Sequence, residues 1–296
     1  MTVLRTPDER FENLPQWNYQ PHYNEVDGLR IHYIDEGSSN KEVVLLMHGE
    51  PSWAYIYRKM IPIFLQAGLR VVAPDFVGFG RSDKLSNISS YSYKFHVDTM
   101  TKWLQQLDLK NITIFGQDWG GLIGLRLATE NVERFSRIVA ANTFLPTGDH
   151  PVPEIFFQWK EFCQTVPELP VGRIVERGCK NSLSAEEVAA YDAPFPDESY
   201  KAGARAFPGL VPISPNDPAV PDNRAAWEVL TRWEKPFLTL FSDSDPITRG
   251  ADKIFQALVP GASTMPHKTI KNAAHFLQED NPEEVASSIV ELISTT

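Results

Sequence analysis

One stretch constrains this chain more than any other: Phe115-Gly116-Gln117-Asp118-Trp119-Gly120-Gly121. An apolar, β-branched run, Ile112-Thr113-Ile114-Phe115, precedes it and reads as a buried strand, and residues 122–131 read as a helix. The chain must therefore turn sharply from strand to helix. Glycines at 116, 120 and 121 let the two backbones pack closely without Cβ clashes. Such a turn pushes the Asp118 side chain up into a pocket. As a structural residue, Asp118 would be an Asx turn or a helix N-cap. A carboxylate held at the apex is better suited to attacking an electrophilic carbon.

The rest of the chain supplies a setting for that turn. Residues 1–20 are polar and irregular and are expected to wrap the surface. Residues 23–35 alternate around Asp27-Gly28 as a hairpin would. Val43 to Met47 is a continuous apolar run, read as a strand buried on both faces, and it ends in His48-Gly49-Glu50-Pro51-Ser52-Trp53. A helix is expected over about 55–66, then a short strand over 70–74. Met100, Trp103, Leu104 and Leu107 form the i, i+3, i+4, i+7 stripe of a helix packed on a sheet, with Trp103 in the core. Further strands are read at 137–141, 236–241 and 268–270, and a last helix starts with Asn281 as N-cap and Pro282 at its first position. The G-x-G of residues 78–80 fails as a dinucleotide fingerprint because position 83 is Asp.

From about 147 to 230 the pattern changes. Prolines cluster, helical pieces lie between them, and Ser184-Ala185-Glu186-Glu187 is a capping box. This stretch reads as a helical cap domain over the strand ends, inserted into a core formed by residues 1–146 and 231–296. Strands alternating with helices imply a mostly parallel central sheet flanked by helices on both faces, an α/β class. In such sheets the site lies beyond the C-terminal strand ends.

Composition narrows the partners. A net charge of −10 argues against nucleic acid or an anionic membrane. No apolar stretch is long enough to span a bilayer, and the N-terminus has no signal-peptide core. Cys163 and Cys179 lie in no metal-ligand pattern, so no metal is expected; a disulfide between them stays open. The expectation is a cytoplasmic enzyme, a monomer, without metal or organic cofactor.

Two later segments complete a catalytic order. Phe241-Ser242-Asp243-Ser244-Asp245-Pro246 follows the penultimate strand, and Ala273-Ala274-His275-Phe276 follows the last. The acid is Asp243 or Asp245, with Asp245 favoured because it directly precedes a proline and starts the loop. Asp243 could instead cap the turn. Of seven histidines, His275 is best placed; His48 belongs to a His-Gly turn, where a structural or oxyanion-loop role fits better. The order nucleophile, acid, histidine is that of α/β-hydrolases, with Asp118 where a serine is usual. An aspartate can displace a leaving group at an sp³ carbon and form an ester. His275, oriented by Asp245, would activate water against that ester, with backbone N–H groups of Trp119 and Glu50 as oxyanion hole. Alkyl halides and epoxides both suit this cycle.

At this point the chain resembles the haloalkane dehalogenases of the α/β-hydrolase superfamily, in the subfamily whose acid follows the strand after the cap. His48-Gly49-Glu50-Pro51-Ser52-Trp53 resembles the oxyanion loop and Gly116-Gln117-Asp118-Trp119-Gly120-Gly121 the nucleophile elbow. Phe157-Gln158-Trp159-Lys160 and residues 191–203 resemble cap segments, and Ala274-His275-Phe276-Leu277-Gln278-Glu279 the histidine loop. The likeness runs from about residue 24 to the C-terminus. It implies Asp118 as nucleophile, His275 as base, Asp245 as orienting acid, and Trp119 and Trp159 as halide-binding residues. Substrate and product would be a small halogenated aliphatic molecule and a chloride or bromide ion. By packing alone, Trp159 would be cap core beside Phe156, Phe157 and Phe162.

Two rivals remain at this level. An epoxide hydrolase would use the same Asp-His-Asp set with two cap tyrosines, Tyr191 and Tyr200, as acids. Against it stand Glu50, Gln117 and the Phe-Gln-Trp segment. A non-catalytic ligand-binding relative would be expected to lack part of the triad.

Overall fold

The computed structural model describes residues 2–296. Its ten strands are β1 (Val3–Leu4), β2 (His22–Val26), β3 (Leu29–Glu36), β4 (Val43–Met47), β5 (Arg70–Pro74), β6 (Lys84–Leu85), β7 (Ile112–Gln117), β8 (Phe135–Ala141), β9 (Phe237–Ser242) and β10 (Lys268–Ile270). Eight of them form one sheet in the order β10-β9-β8-β7-β4-β5-β3-β2. Pairing is parallel except where β3 meets β2 and β5. β4 and β7 are buried along their whole length, as their unbroken apolar runs require of strands covered on both faces.

Helices α1 (Ile61–Gln66), α2 (Tyr93–Gln106), α3 (Trp119–Glu130), α9 (Ala251–Leu258), α10 (Leu277–Asp280) and α11 (Pro282–Thr295) accompany the sheet strands. Between β8 and β9 the chain is helical only: α4 (Glu154–Thr165), α5 (Val171–Arg177), α6 (Ala185–Asp192), α7 (Ala202–Leu210) and α8 (Val220–Leu230). The α6 capping box is formed, Ser184 and Glu187 each satisfying the other's backbone N–H.

Strand order explains where a site must lie. From β4 the chain moves to β5 on one side, then returns through α2 to place β7 on β4's other side. The loops leaving β4 and β7 therefore part in opposite directions and open a crevice at their carboxyl ends. Those loops carry Glu50 and Asp118.

Two local expectations need correction. The first 20 residues do more than wrap the surface: β1 pairs antiparallel with β6, and Phe11 and Trp17 are buried with ring centroids 5.4 and 5.2 Å from Trp53. The helix expected over 55–66 is split into a 3₁₀ turn, Ala54–Tyr57, and α1. Asn281 is the N-cap of α11 with Pro282 following it, as expected; its side chain makes no cap bond, and its amide donates to Glu284 at 2.7 Å.

Candidate active site

Asp118 sits between β7 and α3 with φ +52°, a left-handed conformation costly for a side chain with a Cβ. Several bonds hold it there. Its N–H donates to Asn142 O (3.1 Å), and its carbonyl accepts from Thr143 Oγ1 (2.8 Å), Gly121 N (2.9 Å) and Leu122 N (3.1 Å). The close crossing of α3 over β4 needs a glycine: a Cβ on Gly120 would lie 1.8 Å from Met47 O.

The Asp118 carboxylate has two unlike oxygens. Oδ1 accepts from Glu50 N–H at 2.8 Å. Oδ2 lies 3.6 Å from His275 Nε2, beyond hydrogen-bond reach. Glu50 can approach this closely because residue 49 is Gly; a Cβ there would be 2.6 Å from Asp118 Cβ. The N–H of Trp119 makes no bond to the carboxylate among the described residues.

His275 faces Asp245 with Nδ1 3.3 Å from Oδ1, an ion-pair distance off the line of a hydrogen bond. Asp245 is buried, and its carboxylate also accepts from Ile247 N (3.0 Å), Thr248 N (3.3 Å) and the Thr248 hydroxyl. Burial would raise its pKa, but His275 and these donors hold it down at about 2. Burial would likewise depress His275, yet the nearby charges of Asp245 and Asp118 lift it to about 10. Asp243 is exposed and accepts from Ser244 Oγ (3.0 Å) and Asn272 N (3.1 Å), capping the turn.

Glu50 is 5% exposed, and its Oε1 has no protein partner. Burial first, then the Asp118 charge, push its carboxyl well above the usual range. His48 is a buried neutral ring: Nε2 accepts from Phe76 N–H at 3.0 Å and Nδ1 faces Gly49 O at 3.0 Å. It braces the loop from beneath.

A cavity of about 880 Å³ opens over this set. Glu50, Asp118, Trp119, Trp159 and His275 all line it; Tyr191 and Tyr200 do not. Tyr191 is fully buried and donates to the Glu279 carboxylate, which Arg58 also holds. Trp119 and Trp159 donate their indole N–H to no protein group among the described residues, as is also true of buried Trp103 and Trp233, while Trp53 and Trp227 each donate to a carbonyl. Burial raises the thiol pKa of both Cys163 and Cys179, which are unpaired. Among the described residues no cluster of three or more His, Cys, Asp or Glu could hold a metal, and no helix is long and apolar enough to cross a membrane.

Sequence reasoning missed three positioning groups. Gln117 Nε2 lies 3.1 Å from His275 Nε2 and donates to His275 O at 3.1 Å. That carbonyl can only accept, which fixes the amide's orientation. Asn142 Nδ2 donates to Ala274 O (3.0 Å) and His275 O (2.9 Å). Asp280 accepts from Ala274 N (2.9 Å), Lys180 N (2.8 Å) and Asn181 N (2.8 Å), tying the histidine loop to the α5–α6 connection. A polar residue immediately before the apex was the one available signal, for Gln117.

The chain matches the family model described as alpha/beta hydrolase fold over residues 42–282. It is 56% identical to a haloalkane dehalogenase of Psychrobacter cryohalolentis, over 99% of this chain and 98% of that one. A haloalkane dehalogenase of Mycolicibacterium paratuberculosis is 52% identical, over 98% of each. Among solved structures, haloalkane dehalogenase DpaA from Paraglaciecola agarilytica NO2, described as tetrameric, is 36% identical with a TM-score of 0.91, over 100% of this chain and 99% of that one.

Proposed function

The chain belongs to the haloalkane dehalogenases of the α/β-hydrolase fold, and on that premise we propose which of its residues carry each step. The reaction is hydrolytic: haloalkane and water give an alcohol, a halide ion and a proton. Asp118 Oδ2 attacks the carbon bearing the halogen, and the carbon–halogen bond breaks as the ester forms. The leaving halide is received by the indole N–H groups of Trp119 and Trp159, donors on a mostly apolar wall. Residues 147–230 act as the cap that supplies Trp159.

His275 then takes a proton from water, and the hydroxide attacks Asp118 Cγ. Charge develops on the oxygen already facing Glu50 N–H, so this donor needs no reorganisation; Trp119 N–H is the second, engaged only in the reaction. Collapse releases the alcohol, and Asp118 returns to its ionised form with net release of one proton.

The high resting pKa of His275 fits this order. The ionised Asp118 and Asp245 favour the charged ring before substrate arrives. Esterification removes the Asp118 charge, one of the two carboxylates holding the ring up. Gln117 Nε2, itself a donor, is then well placed against an unprotonated Nε2. The ring's extra proton passes to solvent, and the base is available when the ester needs it.

The observation that carries this reading is the Asp118 carboxylate, one oxygen held by backbone and the other left toward His275 in the cavity. The epoxide route is disfavoured, since neither candidate tyrosine reaches that cavity. The two unpaired thiols fit a cytoplasmic location, and a monomer is our expectation, to be tested by light scattering. The decisive assay follows bromide from a small terminal bromoalkane and diol from styrene oxide, with Asp118→Ala as control. Bromide lost in the control supports the mechanism; diol without bromide overturns it.

A further inference from the structure

The chain is acidic overall, at −10, yet few acidic side chains line the cavity. Among the described residues the only carboxylates lining the cavity are Glu50 and Asp118, both at its floor. The other fully charged residues lining it are Arg177 and Arg249, both exposed. Arg177 ends α5 and Arg249 lies just before α9, so they approach the mouth from different parts of the chain.

These two differ from the remaining arginines. Each of the others donates a hydrogen bond or forms an ion pair within the protein: Arg5 with Asp83, Arg70 with Asp35 and Arg224 with Asp149 are typical. Even Arg10 and Arg205 reach backbone carbonyls. Among the described residues Arg177 and Arg249 do neither, although acidic side chains are in excess on this chain. A guanidinium presents five donors and no acceptor, in a fork that matches a carboxylate. Two such groups without internal partners, on the rim of a deep cavity, give an anion-attracting entrance on a molecule that otherwise repels anions.

We propose that Arg177 and Arg249 select haloalkanes carrying an anionic group at the end remote from the halogen, the ω-halocarboxylates. The apolar cavity wall takes the alkyl chain, the carbon–halogen bond reaches Asp118, and the carboxylate stays at the exposed end of the cavity, where the arginines line it. This inference rests on the dehalogenase reading and assigns its substrate class.

The test compares 6-bromohexanoate, 6-bromohexylammonium and neutral 1-bromohexane by bromide release. In the unmodified protein at low salt, kcat/KM for the carboxylate should exceed that for the ammonium compound by about fivefold, the effect of two exposed ion pairs. Raising salt to about 0.5 M should shrink that ratio toward one, because exposed charges are screened. Replacing both residues, Arg177→Gln with Arg249→Gln, should remove the preference at low salt through a higher KM for the carboxylate. A carboxylate compound turned over no better than the ammonium one overturns the proposal, as does a ratio indifferent to salt or to the double substitution. Failure of the dehalogenase reading looks different: 1-bromohexane would then release no bromide either.

Discussion

Glu50 N–H and Asp118 Oδ1 lie 2.8 Å apart although 68 residues separate them in the chain. The contact is made by two loops leaving adjacent parallel strands, and Gly49 is what lets them meet. Gly49→Ala should therefore displace the donor before it unfolds the protein. Losing one oxyanion donor costs on the order of 100-fold or more in rate. Single-turnover kinetics should show that loss in ester hydrolysis, with circular dichroism unchanged. An unaltered hydrolysis rate would remove Glu50 N–H from the mechanism.

His275→Phe separates the two chemical steps. Alkylation needs no base, so the variant should release one bromide per enzyme and stop. Intact-protein mass spectrometry should find the alkyl group added, and peptide mapping should place it on Asp118. Continued turnover, or no adduct, would contradict the proposed roles.

The His275 charge also links stability to pH. Its folded pKa is raised, to about 10, above the ordinary histidine value near 6.5. The stabilisation is thus fully present below about 6.5 and is lost as pH rises through about 10. Thermal melts between those limits should show the native protein losing more stability than His275→Phe, in which this titration is absent. Parallel curves would mean the ring is not held charged by Asp245 and Asp118.

Asp280 joins Ala274, beside the base, to Lys180 and Asn181 in the inserted helical segment. Asp280→Ala leaves three backbone donors without their acceptor and should cost about 2 kcal/mol in urea unfolding. The bromide burst should keep its rate while steady-state turnover falls, because the base and not the nucleophile is loosened. Asp280→Asn, which still accepts, should recover part of both. Equal slowing of burst and steady state would show that the residue supports the whole site instead.

Much of this was legible locally. The strand runs, the Asp27-Gly28 hairpin and the glycines around Asp118 announce themselves because each is a short-range pattern with a steric cause. Asp245 could be preferred to Asp243, and the exposed Asp243 does cap its turn. What could not be read are groups defined by distant partners. Asn142 matters through carbonyls more than 130 residues away. Tyr191 sits in a stretch expected near the site, but the buried Arg58–Glu279 pair draws it elsewhere. The first 20 residues read as a polar surface wrap, yet Phe11 and Trp17 join the aromatic cluster around Trp53.

Strands β8 and β9 pair directly, Ile138 opposite Phe237, although some 95 residues of mostly helical chain separate them. The sheet therefore closes whatever the intervening helices are. Substitutions in that segment can alter what enters the cavity while Asp118, Asp245 and His275 stay at the ends of strands that never exchange a partner, as long as Trp159 and the Asp280 contacts with Lys180 and Asn181 are kept.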